Sequence, residues 1–252
     1  MRSILLTSLL FFSLSSHGKT RVTIDPGHGG EDKGAVHGSV AESKVALQIS
    51  QKLFRRLQKD PTFASQILRN KDRSLSLEQR VQASNRFQSD LFISIHANAH
   101  PNSRAKGAEF YIENQLPVKQ ENLRLAHSEI TAAPHPSSDK VIGDIGSILG
   151  DLQKNSRIVS SYQLSSYLRE SWKKRKKKMI RQGPFYVLNQ SHVPAVLVEV
   201  GYLSNSKERS QLIQSKEQER IAEKIHNALK GFTKNMDKLP LGILKRQNAK
   251  TR

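Results

Sequence analysis

Apolar positions along the chain recur with two distinct periods. Val45, Ala46, Ile49, Leu53 and Leu57 fall on one helical face and predict a helix over about 42–59, which Pro61 stops. Ser76 and Gln79 have capping-box spacing and precede Val81, Ala83 and Phe87, a second helix. Ile221, Ile225, Leu229 and Phe232 mark a C-terminal helix with Gly231 near its end. Between these lie short apolar runs of strand length: 21-RVTID-25, 66-QIL-68, 91-LFISI-95, 108-AEFYIE-113, 184-PFYVLN-189 and 195-AVLVEV-200. The stretch from about 114 to 182 is polar, contains Pro134 and Pro136, and reads as helical pieces without a strand, an insertion. Strands alternating with helices predict an α/β fold: a mostly parallel or mixed central sheet, covered by helices on both faces.

The first residues carry a different signal. Arg2 precedes the apolar run 4-ILLTSLLFFSL-14, and Ser16 and Gly18 give the small-x-small pattern of a cleavage site. Residues 1–18 therefore read as a secretory signal peptide, cleaved or retained as an anchor. With 252 residues the remainder suffices for one main domain.

Charge sharpens this picture. The net charge is +19, and eleven of the basic residues lie in 173-KKRKKK-178 and in the tail after Asp237. Such runs are either solvated faces or attractors of an anionic membrane surface or polymer. No nucleic acid is expected as a partner: the leader directs the chain away from it, and no aromatics interleave the basic run. The absence of cysteine excludes disulfides, thiolate catalysis and Cys-ligated metals.

The chemistry begins at 24-IDPGHGG-30, where His28 is held at the end of a strand between glycines. Glu42 opens the first long helix, and His96 ends the strand 91-LFISI-95. The carboxyl ends of strands in a covered sheet converge on one edge. Two imidazoles and a carboxylate with an open fourth position form a common catalytic zinc set. Spacing alone leaves open that these are ordinary polar residues, and no H-E-x-x-H helix is present. Glu199 interrupts the otherwise apolar 195-AVLVEV-200. A buried carboxylate there is either a structural ion pair or a general base.

Taken together, 22-VTIDPGHGGEDKGA-35, 42-ESKVAL-47, 75-LSLEQRVQASN-85, 91-LFISIHAN-98, 107-GAEFY-111 and 194-PAVLVEVGYLSN-205 resemble the zinc-dependent N-acetylmuramoyl-L-alanine amidases of the cell-division type. The resemblance implies a catalytic domain over 19–236 and a basic tail over 237–252. It implies Zn²⁺ held by His28, Glu42 and His96, with Glu199 as catalytic acid/base, and glycines that keep the space above the metal open. The substrate class is peptidoglycan or its muropeptides, and the compartment is the periplasm. It further implies that the insertion blocks the site through Glu129 until a LytM-domain activator protein displaces it. The match is looser there, since His127 replaces a usual acid. His37, His100 and His192 match no ligand position. The Thr-Arg pair usual after the second strand stands here as 68-LRNKD-72, a departure expected not to touch the metal site.

Two other readings compete with this one. Ser137 with Lys140, and Ser171 with Lys174, form S-x-x-K pairs, as in serine D,D-carboxypeptidases, but the S-D-N and K-T-G partners are missing. A non-catalytic peptidoglycan-binding protein would have no use for the full set of metal-ligating and proton-transferring residues.

Overall fold

A computed structural model describes residues 18–114, 144–172 and 179–236. The leader before Gly18, Glu129, the basic run 173–178 and the tail 237–252 lie outside the described residues. So do Ser137, Lys140 and Lys174 of the S-x-x-K pairs.

Strands β1 (Thr20–Pro26), β4 (Phe63–Ile67), β5 (Leu91–Asn98), β6 (Glu109–Glu113), β7 (Ile180–Gly183) and β8 (Ala195–Tyr202) form one sheet, in the order β4-β1-β5-β8-β6-β7. The first four strands of that order are parallel; β6 runs antiparallel to β8, and β7 parallel to β6. A two-stranded hairpin, β2 (Val36–His37) and β3 (Val40–Ala41), leads into helix α1 (Glu42–Lys59).

Side chains alternate across this sheet and divide the core in two. Val22, Ile24, Ile93, Ile95, Val196, Val198, Phe110 and Ile112 pack with α1, with α3 (Asp144–Ser171) and with the C-terminal helix Ser215–Thr233. Phe92, Leu197, Ala195 and Tyr111 point the other way, against α2 (Leu77–Arg86) and the single turn α4 (Tyr186–Asn189). The two remaining helices, α5 (Ser206–Leu212) and α6 (Ser215–Thr233), complete the fold. Ser76 caps α2 in a full capping box with Gln79, as its spacing predicts.

Three sequence expectations need correction. The run 184-PFYVLN-189 is the helical turn α4, not a strand: Pro184 has no backbone N–H, Phe185 takes the N-cap conformation, and consecutive Val187 and Leu188 are both buried. The sixth strand instead falls at Ile180–Gly183, across the end of the stretch read as strand-free. Its polar side chains hid it, because it lies at the sheet edge. The later part of the supposed insertion also belongs to the core. Ile158, Leu164, Leu168 and Trp172 of the α3 segment are buried against the sheet and α6, each contributing about 1.5–3 kcal/mol on burial.

Candidate metal centre

The parallel strands deliver their last residues to one edge of the sheet. His96 lies near the end of β5, on the same face as Phe92 and Ser94. Glu199 lies opposite it on β8, and Glu109 lies opposite Glu199 on β6. Because β6 is antiparallel, its first residue reaches the edge where the other strands end. His96, Glu199 and Glu109 therefore form a row across three strands, about 4.8 Å apart from strand to strand.

His28 and Glu42 close in from the β1–α1 connection. After Pro26 the backbone turns through left-handed conformations at His28 (φ 57°), Gly29 and Gly30. A bulky residue at such a φ is uncommon and needs to be held. Two buried arginines do so. Arg69 donates to the carbonyls of Pro26 (3.0 Å), Gly27 (2.7 Å) and Ser43 (2.8 Å). Arg80 donates to the carbonyls of Pro26 (2.8 Å) and His28 (2.9 Å), and to Asp25 Oδ1 at 2.5 Å. Ser94 donates to the second Asp25 oxygen. Burial, reinforced by the neighbouring Arg80, lowers the Arg69 pKa to about 10, so it stays cationic at neutral pH. Arg69 thus ties the loop bearing His28 to the first turn of the helix bearing Glu42. Arg69, within 68-LRNKD-72, bonds the backbone beside His28 and Glu42 rather than the three ligand-capable side chains.

The ligand-capable atoms of His28, Glu42 and His96 all lie within 4.8 Å of one another. Glu42 Oε1 is the hub: His28 Nε2 is 3.3 Å away, His96 Nδ1 3.0 Å, and the Ala97 amide donates to it at 3.0 Å. Its other oxygen accepts from the Ala35 amide. The two imidazoles meet edge to face, with centroids 4.9 Å apart. On its outer side, His28 Nδ1 donates to Asp32 Oδ2 at 2.7 Å. Burial opposes charge on His28, but Glu42 foremost, and then Asp32, outweigh it and push its pKa up to about 11. Burial likewise works against ionised Glu42, yet the two imidazoles hold its carboxyl well below the usual range. A divalent cation among these groups takes over the counter-charge that a proton otherwise supplies.

Glycine is required where the backbone runs against the cluster. A Cβ on Gly27 would lie 2.4 Å from the His96 ring, and one on Gly34 would lie 2.6 Å from both Glu42 Oε2 and the His28 ring. Gly29 and Gly30 border Arg73 and Ser74 instead, so they accommodate the neighbouring loop rather than open space above the cluster.

Beyond Glu199 the row continues into a polar network. Glu109 accepts from Tyr111 Oη at 2.9 Å and pairs with Arg181 at 2.7 Å. Burial, with Glu109 and Glu199 nearby, pushes the Tyr111 and Tyr202 hydroxyls far above their ordinary pKa, so both remain neutral donors. Sequence reasoning missed Asp25, Asp32, Arg69, Arg80 and Glu109 as parts of this edge. His37 lies on the exposed hairpin and His192 in the loop before β8, both outside the cluster. His100 accepts from the Asn102 amide within its own loop and donates its backbone amide to Ser204 just after β8.

An α/β sheet whose carboxyl edge gathers His28, Glu42 and His96 has a donor set that could hold a metal ion. Comparison with known proteins specifies the class further. The chain belongs to the N-acetylmuramoyl-L-alanine amidase family (Amidase_3), which matches residues 22–231. It is 31% identical to the protein YqiI of Bacillus subtilis over 217 residues, covering 85% of each chain. It is 29% identical to the N-acetylmuramoyl-L-alanine amidase AmiC of Escherichia coli over 220 residues, covering 84% of this chain and 52% of AmiC. Among solved structures, the catalytic domain of the amidase CwlV from Bacillus (Paenibacillus) polymyxa superimposes with a TM-score of 0.64 at 27% identity, covering 85% of this chain and 98% of that domain. The enzyme class is that of the family: hydrolysis of the amide between N-acetylmuramic acid and L-alanine in peptidoglycan.

Proposed function

We propose that this chain cleaves that amide with a zinc ion held by His28, Glu42 and His96, and with Glu199 as the proton-transferring group. The observation that carries the proposal is the gathering of the three donors within 4.8 Å, with Glu199 opposite His96 in the β5–β8 ladder. Two imidazoles and one carboxylate are a donor set that zinc favours, and His96 and Glu42 are buried there. When bound there, zinc supplies Lewis acidity to the attacking water and to the amide oxygen. Glu199 takes the proton of that water and delivers it to the departing alanine nitrogen. Arg69, Arg80 and Asp32 keep the donors in place.

The further reading follows the family resemblance. The chain is exported to the periplasm and acts in septal wall remodelling, Glu129 blocks the site at rest, and a LytM-domain protein relieves the block. The basic runs hold the enzyme near anionic membrane. Among the described residues no helix is long and apolar enough to cross a membrane.

The test is digestion of defined muropeptides with and without chelator, beside Glu199→Ala. The proposal predicts free stem peptide with an L-alanine amino terminus, lost on chelation, restored by zinc and absent in the variant. Cleavage that survives complete metal removal overturns it.

A further inference from the structure

We propose that Asp32 is a positioning residue for metal capture, fixing which nitrogen of His28 faces the cation; this rests on the zinc reading above. Asp32 is fixed beside His28 by three contacts, one of them with the ring itself. Its Oδ2 accepts the His28 Nδ1 proton at 2.7 Å, its Oδ1 accepts the Gly34 amide at 2.9 Å, and its carbonyl accepts the Gly29 amide at 2.7 Å. The carboxylate is thus anchored from the backbone on both sides of the ring. An ionised carboxylate can only accept, so Nδ1 must carry the proton.

The consequence falls on the other nitrogen. With Nδ1 protonated, a neutral His28 directs its Nε2 lone pair inward, where Glu42 Oε1 lies 3.3 Å away. A ring flip would put Cδ2 in the place of Nδ1 and Cε1 in the place of Nε2, and break the Asp32 bond. His28 needs such a brace because its backbone sits at φ 57°, at the end of a strand and among glycines. Asp32 is not itself part of the cluster of ligand atoms, and it contacts the face of the ring turned away from Glu42. Its side chain is 63% exposed. An exposed ion pair adds little to folding stability, so its effect should appear in metal affinity instead.

The experiment measures zinc affinity of the whole mature chain by competition with a chromogenic chelator, for wild type, Asp32→Asn and Asp32→Ala. Thermal melts of the metal-stripped proteins are recorded alongside. Asp32→Ala should bind zinc about 10–100-fold more weakly, with melting nearly unchanged. Asp32→Asn keeps an acceptor oxygen but no charge and should fall between the two. Cobalt-loaded Asp32→Ala should show an altered visible spectrum, since the ring is free to present either nitrogen. Equal affinity in all three proteins overturns the inference, as does a lowered melting temperature with unchanged affinity. Failure of the wild type to bind zinc overturns the metal reading itself and this inference with it.

Discussion

Glu199 stands directly across from His96 in the parallel ladder between β5 and β8. The pairing sets the distance between a proposed metal ligand and the proposed proton carrier through backbone hydrogen bonds, not through flexible side chains. Both residues are buried, at 4% and 5% exposure, so neither position is free to drift. The relationship separates two effects that mutation can resolve.

Replacing Glu199 should remove turnover and leave metal binding intact. Glu199→Gln keeps the shape and should lower kcat by about 10²–10⁴-fold, the usual worth of a general acid/base. Zinc content by elemental analysis should match wild type. Loss of zinc in this variant would assign Glu199 to coordination instead.

Replacing Glu42 should do the reverse. Glu42→Ala removes the hub oxygen shared by both imidazoles and by the Ala97 amide. Zinc should fail to copurify, and activity should be absent even at high added metal. The check is metal stoichiometry after dialysis.

Arg69 should matter to stability and site together. It is fully buried and serves three carbonyls from two segments. Arg69→Met leaves those carbonyls without a donor, at about 1–3 kcal/mol each where no water replaces it. The urea midpoint should fall and zinc affinity should weaken with it. A variant that melts like wild type would show that the clamp is dispensable.

Acid should weaken the fold through Asp60, at the end of α1. Burial raises its pKa, but bonds from Thr62, and then from His226 and Lys230 on α6, outweigh this and hold it well below the usual carboxylate range. A carboxyl depressed in the folded state stabilises above its unfolded pKa of about 3.9, and that contribution is lost as pH falls below it. Asp60→Asn should therefore melt lower than wild type at pH 7, and the gap should shrink toward pH 3. A pH-independent difference would point to packing alone.

Glu129→Ala tests the proposed resting block. Basal cleavage without any activator should rise, and an unchanged rate would count against a block through this residue.

Much of this architecture is legible in the chain because burial follows period. The continuous apolar runs 91-LFISI-95 and 195-AVLVEV-200 already mark two central strands that end near His96 and Glu199, and their register then sets the two side by side. His28 and Glu42 announce themselves by ending a strand and opening a helix. The edge strand Ile180–Gly183 was illegible because polar residues suffice where one side of a strand is unpaired. Arg69, Arg80 and Asp25 were illegible for another reason. Their partners around the cluster lie 26 to 69 positions away, and no local pattern marks a guanidinium that will be spent on backbone carbonyls. Glu109 acquires its place beside Glu199 only through the reversed direction of β6.

The most direct measurement is anomalous diffraction at the zinc absorption edge, on crystals of the mature chain grown with zinc. The account predicts one strong peak bonded to a nitrogen of His28, a nitrogen of His96 and an oxygen of Glu42, at about 2.0–2.2 Å from each. Such crystals showing no peak among these three side chains, or zinc held elsewhere, would contradict it.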